Sequence, residues 1–355
     1  MPATALNVEL YLEDLEERID DAVENELFAV WRQFSLHGVG EGLFTPQRRA
    51  ASAPRVDWPT ISVNEALEDM DAMLLGQMRG ASDTLAGGGG AIMAVRSNYG
   101  TPIMAAPLGA ELFIMPAEMS TLPTVAPIAG GADAMRAVLD RGLPSLDHPY
   151  LQRVFDMGRR FMAVKRQYPR IGRHVHLYHP DLQGPMDIVE MAFGSEFFTV
   201  LYDQPDLVHD VLDLITRLYI GVMQRWETIC PRRGDGLAIH WGWVHRGTVM
   251  LRDDSAMNLS AAMFAEFVRP YEQRVLDALG GGAMHACGRV EHFTPYLAQM
   301  PGLYAFNMSQ PHLNNMETIW QHTVDRGVTM IGFNRQAAEA ALAAGRDLHG
   351  RVQAR

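Results

Sequence analysis

The chain has 355 residues, 48% of them hydrophobic, and carries 42 acidic against 30 basic side chains for a formal charge of −12. That length suits one α/β barrel with an extension, and the acidic balance is the wrong sign for a nucleic-acid partner. Two cysteines, Cys230 and Cys287, are too few for a disulfide framework and favour a reducing cytoplasm. The opening residues have neither the basic nor the apolar region of a signal peptide. No apolar run approaches the ~18 residues of a membrane span, so no membrane association is expected.

Residues 9–35 place Leu15, Ile19, Val23, Leu27, Val30, Trp31 and Phe34 at helical spacing, with Glu13, Asp14, Glu16, Glu17, Asp20, Asp21 and Glu24 opposite. One amphipathic helix is expected, packed on the body or on a second copy, and the width of its apolar stripe predicts a homodimer. Residues 39–60 read as an irregular arm rich in Gly, Pro and Arg. A second helix, 63–85, ends at the glycine run 87–90, which lacks the GxxxxGK of a phosphate loop. Residues 1–88 are thus expected to form a helical extension and 89–355 the main domain.

From there the pattern repeats as strand, loop and helix. Strands are expected at 91–96, 173–178, 236–241, 247–252, 283–287, 303–308 and 328–333. Helices are expected at 151–166, 186–201, 205–228, 261–279, 290–300, 314–326 and 336–348. Such alternation means a mainly parallel sheet. Polar residues follow strand after strand rather than gathering at one switch point, which favours closure into a (β/α)8 barrel. No GxGxxG follows the first strand, against a dinucleotide fold. The 22 methionines read as core filler.

The strand ends carry the candidate chemistry: Arg96, Asn98 and Tyr99; His179, Asp181 and Gln183; His240 and Trp241; Arg252, Asp253 and Asp254; Gln310 and His312; Asn334 and Arg335. Asp253 and Asp254 are site carboxylates or helix caps. His240 is a ligand or a hydrogen-bonded core histidine. Gln183 serves the site or ties a loop, and Arg96 binds an anion or forms a structural ion pair. The strongest signal is GGGAMHACGRVEH at 280–292, where His285 and Cys287 share one face of a strand at its C-terminal end. Imidazole and thiolate together suit Zn²⁺. His292 could fold back from the following loop as a third ligand, or lie on a helix surface.

Three segments, DLQGPMDIVEMAFGSEFF, YDQPDLVHDVL and MLRDDSAMNLSAAMFAEFVRPYEQRVLDALGGGAMHACGR, resemble the uroporphyrinogen decarboxylase superfamily over roughly residues 90–335. The resemblance implies a (β/α)8 barrel with a cleft at the C-terminal ends of the strands, and it implies two chemistries. Methylcobalamin-dependent methyltransferases of that superfamily hold zinc through an H-x-C pair and a later Cys. His285 and Cys287 match the pair, but no Cys follows position 287. Decarboxylases of the superfamily need no cofactor and hold substrate carboxylates with N-terminal arginines, whereas Arg48 and Arg49 stand here in a different context. The first expectation is zinc-assisted methyl transfer between a small molecule and a corrinoid on a partner protein. His285, Cys287 and one or two of His292, Asp253, His240 or His312 would hold the metal. The second is a lyase with Asp253 or Asp254 stabilising a cationic intermediate and Arg96 gripping carboxylates. In either case Gln183 and His240 would join the catalytic groups, and Asn98, Tyr99, Asp181 and Gln310 would contact the cofactor. A barrel used only for binding is the remaining alternative.

Overall fold

The computed structural model describes residues 6–355. The expected N-terminal helix is two: α1, Val8–Arg18, and α2, Asp21–His37. Asp20 makes the break, since its carboxylate accepts from the amides of Ala22 and Val23 at 2.8 and 3.2 Å and so caps α2. Leu15, Ile19, Val23, Leu27, Trp31 and Phe34 are buried against the chain's own body. Leu27, Trp31 and Phe34 join Ile239, Val244, Met250, Ala283, Ala305 and Ile331 in one cluster, so α2 covers strand residues. The stripe that predicts a homodimer is therefore already occupied, apart from Val30.

The arm between α2 and the next helix is fixed by buried ion pairs. Arg48 grips Glu24 through two bonds of 2.6 and 2.9 Å, and Arg18, paired with Asp14 inside α1 at 2.8 Å, donates to the Ser52 carbonyl of the arm at 2.5 Å. Helices α3, Val63–Glu68, and α4, Met70–Gly87, follow; Ser62 and Glu65 form a capping box on the first and Asp69 caps the second.

Strand β1, Ala94–Val95, pairs in parallel with β4, His176–Leu177. Between them lies an unexpected hairpin, β2, Glu111–Phe113, with β3, Thr124–Ala126. The next strand, β5, Leu237–His240, pairs antiparallel with β6, Trp243–Arg246. Trp241 and Gly242 make that turn with φ of 52° and 84°, the left-handed pair a two-residue hairpin loop uses. Strands β7, Val249–Arg252, β8, Gly282–Ala286, β9, Leu303–Met308, β10, Thr329–Phe333, and β11, Val352–Ala354, form a parallel five-stranded sheet in sequence order.

The fold is thus mixed α/β with a parallel sheet. Its ladders form separate sheets among the described residues, rather than one continuous ring of eight strands. The expected helix at 186–201 divides at Gly194 (φ 70°). The one at 261–279 contains a π-helical segment, Phe264–Val268, just before Pro270, whose missing N–H interrupts the regular ladder. The stretch 290–300 keeps only one turn, Thr294–Leu297. Among the described residues no helix is long and apolar enough to cross a membrane.

Candidate metal centre

Register in the parallel sheet builds the site. Arg252 of β7 is level with His285 of β8, which is level with Asn307 of β9. Side chains two residues apart share a face, so Asp254, Cys287 and Ser309 form a second row beyond the first. The rows converge: one donor atom each from Asp254, His285 and Cys287 lie within 4.8 Å of one another. His285 Nε2 is 3.4 Å from Cys287 Sγ and 3.7 Å from Asp254 Oδ1.

The neighbours determine which atoms are free. Asn307 donates its amide N–H to the Ile331 carbonyl at 2.7 Å, so its Oδ1, 2.6 Å from His285 Nδ1, must accept. That bond puts the imidazole proton on Nδ1 and leaves a bare lone pair on Nε2, facing the thiol and the carboxylate. Metal-binding histidines are commonly oriented in this way. Asp254 Oδ1 also accepts from the Cys287 amide at 2.8 Å, tying the two ligand-bearing loops together. The Asp254 side chain is 46% exposed, so the cluster opens to solvent and leaves room for a further ligand.

Burial lowers the His285 pKa, against the pull of Asp254 and Asn307, so the ring is neutral. Burial pushes the Cys287 thiol up to about 11, with Asp254 adding to the rise and the Ser309 hydroxyl at 3.4 Å opposing it. A divalent ion would reverse that balance and deprotonate the thiol. A neutral imidazole, a thiol and a carboxylate converging on one solvent-reachable point fit zinc.

Arg252 and Asp181 lie beside this cluster. Arg252 Nη1 reaches Asp181 Oδ1 and the Leu182 carbonyl, each at 3.0 Å. Arg96 reaches the other oxygen of Asp181 at 2.9 Å, and Gln183 donates to Asp181 at 2.9 Å. Burial alone would raise the Asp181 pKa, but Arg252 and Arg96 hold it below the usual carboxylate value. Two guanidiniums share one carboxylate, and Arg252 Nε and Nη2 are buried without a partner among the described residues. The Arg252 guanidinium lies 5.0 Å from the Trp241 ring, and that ring meets His285 edge-on at 5.4 Å.

The structure separates the other candidates. His292 is outside the cluster, its Nε2 3.4 Å from the Ala256 carbonyl, and Asp254 takes the third position instead. His240 is buried, with Nδ1 2.7 Å from His245 Nε2, and is not among the converging donors. Asp253 points to the opposite face from Arg252. It is fully buried without a hydrogen-bond partner, and burial with Glu272, Asp187 and Asp254 raises its pKa well above the ordinary value. It therefore lies behind the site rather than in it. Tyr99 is a core residue whose carbonyl accepts from Tyr150, Asn98 accepts from Arg96, Gln310 accepts from the Gly288 amide at 2.6 Å, and His312 is exposed. Arg48 is locked to Glu24. Asn307 and Ser309, which complete the site, carry the same two-residue spacing as His285 and Cys287 one strand later.

No family model matches the chain, and no curated protein is similar to it at a significant level. Solved structures do match: the chain is similar in fold to a methyltransferase from Methanosarcina mazei, with a TM-score of 0.59 and 15% identity over 87% of this chain and 82% of that one.

Proposed function

We propose that the chain is a zinc-dependent methyltransferase, moving a methyl group between a small molecule and a corrinoid carried by a partner protein. The observation that carries this reading is the convergence of Asp254, His285 and Cys287 with Nε2 of His285 left bare. Zinc bound there would act as a Lewis acid and lower the pKa of a bound thiol or other acceptor. Asn307 holds the imidazole in its ligating tautomer. The Cys287 thiol donates to the Ser309 hydroxyl oxygen at 3.4 Å, and Asp254 positions the Cys287 backbone while offering its own oxygen. The fold likeness to a methyltransferase supports the reading. The parallel sheet β7–β11, with β1 paired in parallel to β4, is compatible with the α/β architecture that the resemblance implies.

The test is metal analysis of protein purified without a His tag. Wild type should hold zinc, Cys287→Ser should hold far less while remaining folded, and Cys230→Ser should hold as much as wild type. Folded wild type that binds no zinc would overturn the proposal. One observation favours a second reading in that event. The unpartnered Nε and Nη2 of Arg252 suit a substrate carboxylate, so a metal-free lyase would rest on Arg252 with Asp254, rather than on Arg96 and Asp253.

A further inference from the structure

A cavity of about 650 Å³ runs from the strand end opposite the candidate metal centre inward as far as His179 and His240. Thr248 and Gly280, which line it, precede β7 and β8, and Arg246 closes the antiparallel β6 on the same side. Cys287 leaves β8 at its other end, about 20 Å from Gly280 at the ordinary strand rise.

The lining is basic in a chain whose overall charge is −12: Lys165, Arg173, Arg232, Arg233 and Arg246 against Glu227 and Asp235. Three of these cations are already paired. Arg232 meets Glu227 at 2.6 Å, Arg233 meets Asp235 at 2.7 Å, and Arg173 meets Asp21 at 2.9 Å. Lys165 is different. Its ammonium donates to the Val175 carbonyl, and no carboxylate among the described residues reaches it. Arg246 lies over the Tyr304 ring at 4.1 Å, likewise without an acidic partner among the described residues. A half-buried ammonium with no counter-ion is costly, and desolvation, opposed by Cys230 and helped by Arg233, holds the Lys165 pKa down at about 8. Met162, Met223 and Trp226 supply an apolar wall that suits the carbon body of an organic ligand.

We propose that this cavity binds a small oxyanion of charge minus two, a phosphate or a compact dicarboxylate, with Lys165 as its counter-ion and Arg246 at the rim. The site is independent of the metal centre and stands whether or not zinc binds there. An anion beside Lys165 raises the amine's pKa, so binding near pH 8 takes up protons.

The experiment is titration calorimetry on the full chain near pH 8, in two buffers of different ionisation enthalpy, with inorganic phosphate and with malonate. Saturable binding of either anion with proton uptake is expected; phosphate alone would identify a phosphate ligand and malonate alone a dicarboxylate. Lys165→Met should weaken binding about tenfold or more and abolish the proton uptake, as expected for loss of a charged partner, while Cys287→Ser should leave binding unchanged. If Lys165→Met does not fold, Arg246→Gln, at the exposed rim, should still weaken binding. The proposal falls if wild type binds neither anion, if Lys165→Met binds as tightly as wild type, or if Cys287→Ser removes the binding and so places the anion at the metal centre.

Discussion

Replacing Asn307 by Leu tests the metal centre without touching a ligand. The side chains are similar in volume, so the core around β9 stays filled. Two hydrogen bonds are lost: the one that places the His285 proton on Nδ1, at 2.6 Å, and the one to the Ile331 carbonyl, at 2.7 Å. The imidazole is then free to rotate or change tautomer, and the loss of such a support typically weakens metal binding by about 10–100-fold. Buried groups left unpaired should cost the fold about 1–3 kcal/mol. Zinc affinity would be read by competition with a chromophoric chelator, and stability by urea unfolding of the metal-free protein. Asn307→Asp keeps an acceptor for Nδ1 and should retain most of the affinity. A folded Asn307→Leu protein that binds zinc as tightly as wild type would refute the assignment of Nε2 as a ligand.

Three further outcomes concern the scaffold. Arg48→Met leaves Glu24 buried without its partner, the side chains being 0% and 3% exposed, and should cost about 3–5 kcal/mol in urea unfolding; adding Glu24→Leu should recover much of it. Gly332→Ala would place a Cβ 2.4 Å from the Trp243 ring at a φ of +60°, and should lower stability by about 2–4 kcal/mol, seen as an earlier thermal transition in tryptophan fluorescence. Burial and Asp187 raise the Glu272 pKa well above its ordinary 4.5, so the folded state keeps a proton that the unfolded state loses, and stability falls as pH rises above about 4.5. Glu272→Gln should flatten that decline, so that unfolding midpoints at pH 5 and pH 8 lie closer together than in wild type; an equal decline in both would sink the reading.

His285 and Cys287 were legible because both lie on one strand and spacing alone gives their common face. Asp254 was not separable from Asp253 by the same means, since a single strand does not say which parity faces the site. That was decided by the pairing of Arg252 with His285, a contact between segments far apart in sequence. Asn307 fell inside an expected strand and Ser309 just beyond it without being singled out, and their use depends on the register between β8 and β9. Strands β7 to β10 lie close to the expected segments because each is a short apolar run bounded by turns, whereas β11, a three-residue strand after the last helix, was not expected. The β5–β6 hairpin escaped because its turn is Trp-Gly, and a tryptophan at positive φ is not a pattern that composition suggests. The break at Asp20 is a capping effect inside an otherwise unbroken helical stripe.

The aligned spacing on β7, β8 and β9 makes the site a small grid whose squares can be reassigned. Each position is an address fixed by the backbone, and the residue there decides only the chemistry offered. Ser309 already stands 3.4 Å from the Cys287 sulfur. Ser309→Cys, kept reduced, would therefore add a second sulfur beside the first and change the donor set from one thiol to two, giving four donors for a tetrahedral ion. The same scaffold could then be tuned toward softer metals by editing one oxygen atom to sulfur, with no change of loop length or strand order.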